Sequence, residues 1–540
     1  MRSLIETIIG LAIAVSLVRG LATEGYMIST GSMAPTLLGY HRHAECPHCQ
    51  FEFTRGSVPR DFRSPAAVRA GGDDDDLGTS DEATPTESDA TEQTATPPNE
   101  SESVVCPNCG TGFTTASPRT EGDQLLVFKH IYRHRLPRRW EVVVFRNPSD
   151  PAEAYIKRVA GLPGETIAIR EGDVWADGRL CRKPASVQRA MRLPVASLDH
   201  PTGTPSRWRL DGGWLRSGTG DGTVELLHDG PPSTVTYHHR LRSGGEHISE
   251  VALPQWPTPH PPNAARLQWH QGRLHCRGVL PDAVRDGLLG LSPEATYQAA
   301  IRELATASRA SLVTDACGYN RPGGESFPVR DLAWSGRVEL GTATSTLVVR
   351  LLYGRQPFAL QLTPTQARLL TLGRDGSAEV LGEAAVSLGS QPALVELSVI
   401  DRQVVVALDG RELLPPLPFA ASELTTRPSR TPLTLTAAGS VRLREVMLWR
   451  DVYVTPPDSP IARTLAANGE GPGDQPSGEL FLLGDNSPVS VDSRRWPTAA
   501  IPVTCLIGKP YLVHLPSRQV SLGDWGPVRL PDVGRIRWVQ

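Results

Sequence analysis

Cysteine, net charge and long apolar runs are all scarce in this chain. Its 540 residues include eight cysteines and carry a formal net charge of −3. So few cysteines over this length exclude a disulfide-dense scaffold. A near-neutral charge provides no long-range field that would attract nucleic acid, so we expect no such partner. The length allows more than one domain, and 50 glycines with 48 prolines favour turn-rich β structure over helical bundles.

The N-terminal segment is apolar but short. Its uncharged run, residues 8–18, has 11 residues, fewer than the ~20 that a membrane-spanning helix usually needs. Glu6 and Arg19 flank this run, where long side chains can reach the membrane interface. A cleavable signal peptide is the alternative. A serine-containing motif that could carry out catalysis follows almost at once. We therefore predict an uncleaved anchor helix over 1–23, with an orientation that charge leaves open.

Two Cys-Pro-x-Cys motifs follow the N-terminal segment. In such motifs the proline suits a tight turn that points both thiolates at one metal ion, and two of them predict a tetrahedral zinc site in a zinc-ribbon-like unit. Four thiolates leave no open coordination position, so the zinc would be structural. Two local disulfides or a redox dithiol are the alternatives. The predicted metal ligands are Cys46, Cys49, Cys106 and Cys109.

The gap between the two cysteine pairs exceeds the ~15–20 residues of a usual ribbon. Residues 70–103 are rich in Asp, Glu, Ser, Thr and Pro and nearly lack large apolar side chains. Such a composition cannot bury enough surface to offset the entropy of ordering, so we predict a disordered acidic loop there. His41, His43 and His48 are possible substitute ligands, although solvated surface histidines are the simpler expectation.

Three short segments, widely separated along the chain, carry the remaining motifs. Residues 31–36 read Gly-Ser-Met-Ala-Pro-Thr, residues 155–165 read Tyr-Ile-Lys-Arg-Val-Ala-Gly-Leu-Pro-Gly-Glu, and residues 484–496 read Gly-Asp-Asn-Ser-Pro-Val-Ser-Val-Asp-Ser-Arg-Arg-Trp. A serine hydroxyl becomes an effective nucleophile only when a base removes its proton. Lys157 lies in an apolar stretch, where burial would lower its pKa and keep the amine neutral.

In this order the three segments resemble the nucleophile, lysine and Gly-Asp-Asn boxes of bacterial signal peptidase I, a family with a Ser–Lys dyad. Residues 138–145 resemble a further strand of that family, but Trp140 and Glu141 stand where it usually has Gly-Asp. Pro497 replaces another usual glycine. The resemblance implies a membrane-bound serine endopeptidase that removes signal peptides through an acyl-enzyme and needs no cofactor for catalysis.

The resemblance also implies a role for each matching residue. Ser32 would be the nucleophile and Lys157 the general base. Thr30, where much of the family has serine, would donate to the oxyanion beside the Ser32 backbone N–H, and Ser490 would orient the lysine. The residues implied as structural supports are Gly484, Asp485, Asp492 and Arg494.

The same resemblance implies the substrate and the location. The substrates would be secretory precursor proteins with small residues at the −1 and −3 positions, because shallow apolar pockets beside Ser32 exclude larger side chains. The protein would contact membrane lipid. It would lie in the cell (inner) membrane as a single-pass protein, with its catalytic domain on the extracytoplasmic side.

About 300 residues separate the lysine box from the last box. From Trp208 onward, short apolar runs alternate with Gly, Asp and Pro turns, which predicts an antiparallel sandwich with one helical patch at 293–307. The pattern resembles concanavalin-A-like jelly rolls, which often bind glycans, so a glycan or a protein is a possible partner. We expect deletion of 201–454 to leave peptide cleavage largely intact. Core packing is the simplest role for the tryptophans, which are Trp208, Trp214, Trp256, Trp269, Trp334 and Trp449.

The sequence therefore predicts a mostly β chain, in which a signal-peptidase β-fold core carries two inserts. The predicted units are an N-terminal transmembrane anchor (1–23), the core in three parts (24–45, 116–195 and 475–540, the last with the C-terminal tail), the zinc-ribbon-like insert (46–115) and the antiparallel jelly-roll insert (200–455). A surface binding protein on an inactive peptidase scaffold is the alternative function. The matching serine, lysine and supporting residues favour the enzyme.

Overall fold

The computed structural model describes residues 23–57, 102–148, 150–200, 206–218, 224–242, 247–321, 325–373, 377–389, 391–422, 425, 427–457, 463–465, 478–521 and 527–539. The predicted anchor helix, 1–23, lies outside these residues except for residue 23. The predicted acidic loop, 70–103, lies outside them except for residues 102 and 103. Within the described ranges, no helix has the length and apolar character needed to cross a membrane.

The chain before the large insert forms short strands and one short helix. In chain order they are β1 (Thr23–Met27), β2 (His41–Glu45), β3 (Glu52–Gly56), β4 (Glu102–Val105), β5 (Gly112–Thr115), β6 (Arg119–Thr120), β7 (Gln124–Phe128), β8 (Val142–Asn147), β9 (Asp150–Gly161), β10 (Thr166–Arg170), β11 (Asp173–Ala176), β12 (Arg179–Leu180) and α1 (Ala185–Met191).

The following region, up to residue 450, is also mostly β. Its elements are β13 (Leu193–Ser197), β14 (Trp208–Leu210), β15 (Trp214–Gly218), β16 (Val224–His228), β17 (Ser233–Tyr237), β18 (Ile248–Ala252), β19 (Leu267–His270), β20 (Arg273–Arg277), α2 (Asp282–Leu289), α3 (Ala295–Ala307), β21 (Leu332–Leu340), β22 (Thr346–Tyr353), β23 (Gln356–Leu362), β24 (Gln366–Leu372), β25 (Ala378–Ala385), β26 (Ala393–Ile400), β27 (Gln403–Leu408), β28 (Arg411–Glu412), β29 (Leu417–Pro418), β30 (Leu433–Ala438) and β31 (Val441–Arg450).

The last part of the chain returns to the first sheet. Its strands are β32 (Arg463–Thr464), β33 (Glu479–Leu483), β34 (Ile501–Pro502), β35 (Leu506–Val513), β36 (Ser517–Ser521), β37 (Pro527–Pro531) and β38 (Arg537–Trp538). One sheet runs in the order β1-β7-β35-β8-β9-β33-β34, with β38 beside β35. The three sequence segments with motifs therefore converge on one sheet, although the large insert separates the second from the third.

Two large antiparallel sheets form the insert. One runs β15-β16-β31-β21-β26-β27-β28 and the other β14-β17-β30-β22-β23-β24-β25, and a single apolar cluster lies between them. Strand β22 shows why these residues pair: Leu347, Val349 and Leu351 are buried, while the alternate residue Arg350 is exposed. A two-residue side-chain period of this kind places one face of a strand in the core. Trp334 is fully buried in that core.

Residues 248–307 form a small unit of their own, of which the sequence predicts only the helical patch at 293–307. The sheet β18-β20-β19 packs on α2 and α3 around a separate apolar cluster. Tyr297, Ile301 and Leu304 lie at helical spacing on the buried face of α3, which lies within the predicted helical patch. The sequence does not predict α2, which begins after Pro281 and ends before Gly290.

Candidate active site

Ser32 and Lys157 meet at the first sheet. Ser32 lies in the turn that follows β1, and Lys157 lies in β9, where it pairs with Val143 of β8. Lys157 Nζ is 2.8 Å from Ser32 Oγ and 3.1 Å from the carbonyl oxygen of Ile156. The lysine is only 3% exposed. A neutral amine in this place can accept the proton of the serine hydroxyl, so the geometry suits nucleophile activation.

Burial changes the titration of this lysine. It lowers the pKa of Lys157 from 10.5 to about 8, because desolvation disfavours the ammonium form. The carboxylates of Asp492 and Asp485 oppose this effect, whereas Arg494 adds to it. With a pKa of about 8, roughly a tenth of the amines are neutral at pH 7. An ordinary lysine would be almost entirely protonated at that pH.

The loop after β33 holds the nucleophile turn in place. The backbone N–H of Asn486 donates to the Ser32 carbonyl at 3.0 Å, and its side-chain amide donates to the Gly31 carbonyl at 3.0 Å. A Cβ at Gly484 would collide with the Ser32 carbonyl oxygen and with Ser490 Oγ. Glycine at position 484 thus permits the close approach of this loop to Ser32. Asn486 is a supporting residue that the sequence analysis quoted within its motif but did not single out.

Two buried ion pairs brace the same loop. Arg158 donates from Nε and Nη2 to the two oxygens of Asp485, both at 2.8 Å, and each side chain is 1% exposed. Arg494 contacts both oxygens of Asp492 at 2.9 and 2.7 Å, and Asp492 Oδ2 also accepts from the Gly484 N–H at 3.0 Å. The structure therefore places Asp485, Asp492 and Arg494 in buried ion pairs beside the dyad, and their supporting role stays a prediction.

Thr30 and Ser490 differ in how they relate to the dyad. Thr30 is exposed and lies two residues before Ser32. Ser490 is fully buried next to Gly484, yet no hydrogen bond joins its Oγ to Lys157 in the described part of the chain. The predicted hydrogen bond from Ser490 to Lys157 is therefore not formed here, because the amine contacts Ser32 and the Ile156 carbonyl instead.

The two residues that replace the Gly-Asp of the resembling family adopt distinctive positions. Trp140 has φ = 69°, in the left-handed region that glycine adopts without cost. Glu141 is buried and accepts from Arg135 and from Lys509, both at 2.7 Å. Burial raises the pKa of Glu141, but these partners outweigh that effect and hold the pKa to about 2. The site therefore keeps a carboxylate where the family usually has one.

A loop of the large insert also contacts the nucleophile turn, which no sequence signal predicted. The side chains of Asn320 and Asn486 exchange two hydrogen bonds of 2.7 Å. Tyr319 Oη donates to the Tyr40 carbonyl at 3.1 Å, and the Tyr319 ring lies where a side chain at Gly31 would have to go. These contacts oppose the expectation that the insert can be deleted without consequence for cleavage.

The four predicted zinc ligands lie together at the tips of two hairpins, β2–β3 and β4–β5. The four sulfurs all lie within 4.8 Å of one another. The Sγ–Sγ distances are 3.5 Å for Cys46–Cys109 and 3.6 Å for Cys49–Cys106. Tetrahedral zinc with Zn–S bonds of about 2.3 Å needs sulfurs roughly 3.8 Å apart, so the cluster fits this ion. These four cysteines form no disulfide in the structure.

The three histidines near this cluster are not among its ligands. His48 is exposed, as expected for a solvated surface residue. His41 is buried and donates from Nδ1 to the Gly39 carbonyl at 2.8 Å, so the expectation of a solvated side chain is wrong for this residue.

Comparison with protein families gives a match over residues 114–211, to a model described as signal peptidase, peptidase S26. The matched region contains Lys157. A probable signal peptidase I-2 of Synechocystis sp. is 41% identical over 64 residues, which are 11% of this chain and 29% of that protein. Signal peptidase I V of Bacillus subtilis is 38% identical over 64 residues, or 12% of this chain and 37% of that protein.

The chain thus spans about a third of the length of these curated relatives. Within that span, the family match and the relatives support a serine peptidase resembling signal peptidase I. The mostly β structure is consistent with a signal-peptidase β-fold.

Solved structures show only distant likenesses. The carbohydrate-binding module CBM66 from Bacillus subtilis has 6% sequence identity and a TM-score of 0.20, covering 45% of this chain and 92% of that chain. Sheep galectin-11 has 15% identity and a TM-score of 0.18, covering 22% of this chain and 90% of that chain. These TM-scores are too low to assign the insert to a family, so its concanavalin-A-like character stays a prediction.

Proposed function

We propose that this protein is a membrane-bound endopeptidase that removes signal peptides from secreted precursors by a Ser–Lys mechanism. The observation that carries the proposal is the 2.8 Å contact between Ser32 Oγ and the buried Nζ of Lys157. The names of the curated relatives and the family match over 114–211 support the same activity.

In the proposed reaction, neutral Lys157 takes the hydroxyl proton as Ser32 Oγ attacks the scissile carbonyl. The tetrahedral oxyanion accepts hydrogen bonds from the Ser32 backbone N–H and the Thr30 hydroxyl. Collapse of this intermediate breaks the C–N bond, the Lys157 ammonium gives its proton to the departing amine, and an acyl-enzyme remains on Ser32. Lys157 then activates the water that hydrolyses the ester. Ser490 would orient the amine after a change of its side-chain rotamer.

The remaining features of the proposal concern location and structural support. Residues 1–23 would anchor the protein in the cell membrane, with the active site on the extracytoplasmic side, where precursors with small −1 and −3 residues emerge. The cysteine cluster would hold a zinc ion that stabilises the two hairpins and takes no part in catalysis. The insert would recruit a glycan or protein partner.

A peptide cleavage assay with purified Lys157→Ala protein tests the proposal. The substrate is a synthetic precursor peptide with alanine at −1 and −3. We expect Lys157→Ala to abolish cleavage, while Lys129→Ala, which removes a half-exposed lysine paired with Glu24, retains it. Unchanged cleavage by a folded Lys157→Ala protein would exclude the Ser–Lys mechanism and leave the binding-protein alternative. The observed cleavage would then come from a contaminant.

A further inference from the structure

A second group of buried carboxylates lies between the first sheet and the sandwich. Asp173 begins β11, Asp331 directly precedes β21, and Asp401 lies in the turn between β26 and β27. One carboxylate oxygen from each of these three residues lies within 4.8 Å of the others. This carboxylate triad therefore joins a hairpin of the peptidase core to two positions in the insert.

The triad is withdrawn from solvent. Asp173, Asp331 and Asp401 are 5%, 8% and 1% exposed. Asp173 Oδ2 is buried and has no hydrogen-bond partner in the described part of the chain, and the same holds for Oδ1 of neighbouring Asp451. An ionised carboxylate is costly to bury unless a cation or hydrogen-bond donors compensate it. Asp173 thus presents an uncompensated oxygen to the triad.

Lys183 compensates only part of this negative charge. Its Nζ lies 2.7 Å from Asp401 Oδ1 and 2.9 Å from Asp451 Oδ2. Asp331 Oδ1 accepts only a backbone N–H, that of Asp401, at 2.7 Å. Among the described residues, no lysine or arginine forms a salt bridge with Asp173 or Asp331.

We propose that Asp173, Asp331 and Asp401 bind a hard divalent cation, Ca²⁺, that ties the insert to the peptidase core. Oxygen-only ligands select Ca²⁺ or Mg²⁺ over zinc or copper. Ca²⁺ tolerates irregular geometry with oxygens at 2.3–2.6 Å, so its ligand oxygens can lie up to roughly 5 Å apart, as they do here. Mg²⁺ demands a near-ideal octahedron and retains several waters, which a site this buried accommodates poorly.

The backbone around the triad supports a role in joining the two units. The Val454 N–H, which follows the last sandwich strand, donates to the Gly172 carbonyl in the β10–β11 turn at 3.0 Å. Lys183 Nζ also lies 4.9 Å from the centre of the Trp140 ring, close to the strand pair that carries Lys157. A cation at the triad would therefore stabilise the junction without contacting the dyad.

Calcium binding to the full-length protein tests this inference independently of peptidase activity. The protein is first depleted of divalent ions on a chelating resin, and equilibrium dialysis with ⁴⁵Ca²⁺ is combined with Tm measurements in Ca²⁺, in Mg²⁺ and without either. We expect about one Ca²⁺ per chain and a rise in Tm with Ca²⁺. Asp173→Asn should lose both, while Asp286→Asn, which changes an exposed aspartate of α2, should lose neither. The cysteine cluster does not interfere, because thiolates bind Ca²⁺ poorly.

The Tm of Asp173→Asn without added ions distinguishes a triad that binds a cation from a triad whose carboxylates share a proton. If the carboxylates share a proton and bind no metal, removing one charge relieves repulsion, so the variant is more stable than the wild type in every buffer. That result, with no saturable Ca²⁺ binding to the wild type, would overturn the proposal. Binding of Mg²⁺ but not Ca²⁺ would overturn the assignment of the ion.

Discussion

Asn320 and Asn486 form a reciprocal pair of amide hydrogen bonds, each 2.7 Å long. Asn486 in turn holds the carbonyls of Gly31 and Ser32. A residue of the insert is thus one hydrogen-bonded step from the nucleophile turn. The insert supports the candidate active site, in contrast to the separable role expected from the sequence.

Asn320→Ala should lower kcat/KM for a precursor peptide about tenfold. The substitution leaves Asn486 Oδ1 without the donor from Asn320, and an unsatisfied buried polar group costs ~1–3 kcal/mol. The loss should fall mainly on kcat, because the turn that presents Ser32 loses a constraint while the peptide-binding surface is unchanged. Asn263→Ala, at an exposed position of the insert, is the matched control. Equal kcat/KM for both variants would show that the asparagine pair does not support catalysis.

Thr30 should contribute to catalysis through its hydroxyl alone. Thr30→Val keeps the shape but removes the donor, so we expect kcat to fall by roughly 10²–10³, the usual cost of losing one oxyanion donor. Thr30→Ser keeps the donor and should be mild. Steady-state kinetics of the two variants provide the measurement. Similar rates for valine and serine at this position would exclude the hydroxyl as an oxyanion donor.

Removing one partner of the buried pair of Arg158 and Asp485 should strongly destabilise the protein. Arg158→Met leaves Asp485 as an uncompensated buried charge, for which we expect a loss of ~3–5 kcal/mol in the free energy of unfolding. The exposed pair Arg368–Glu383 is the comparison, and Arg368→Met should cost at most about 1 kcal/mol. Denaturant unfolding of both variants gives the two values. Equal small losses would mean that the Asp485 loop is held by other contacts.

Purified protein should contain about one zinc ion per chain, bound by the cysteine cluster. Cys106→Ser should lose this metal and lower Tm, because zinc joins the two hairpins. Cys505→Ser, which changes a cysteine outside the cluster, should keep it. Metal analysis by mass spectrometry provides the test. A wild-type protein with no zinc and with cysteines oxidised in pairs would favour the disulfide alternative.

The sequence predicts the dyad and most of its supports because each short motif fixes local chemistry. Lys157 and Arg158 are adjacent on β9, so the motif that names the lysine also places the arginine that pairs with Asp485. Contacts between distant segments leave no such local pattern. Asn320, Tyr319 and the triad at Asp173 are brought to their partners only by the packing of the insert. The Ser490 rotamer likewise depends on tertiary packing rather than on sequence.

The proposed mechanism depends on Lys157 acting as a neutral base, and the pH dependence of kcat/KM tests this most directly. The pKa of Lys157 is lowered to about 8, so the active, deprotonated fraction should rise about tenfold per pH unit below pH 8 and level off above it. Unfolding should not obscure this limb. The pKa of the lysine is 10.5 in the unfolded chain, so the unfolded state binds more protons than the folded state between pH 8 and 10.5. The free energy of unfolding therefore rises with pH through that window. We predict a single ionisation near pH 8 on the acidic limb. A profile that stays flat from pH 6 to 9, with the protein folded throughout, would contradict the Ser–Lys mechanism.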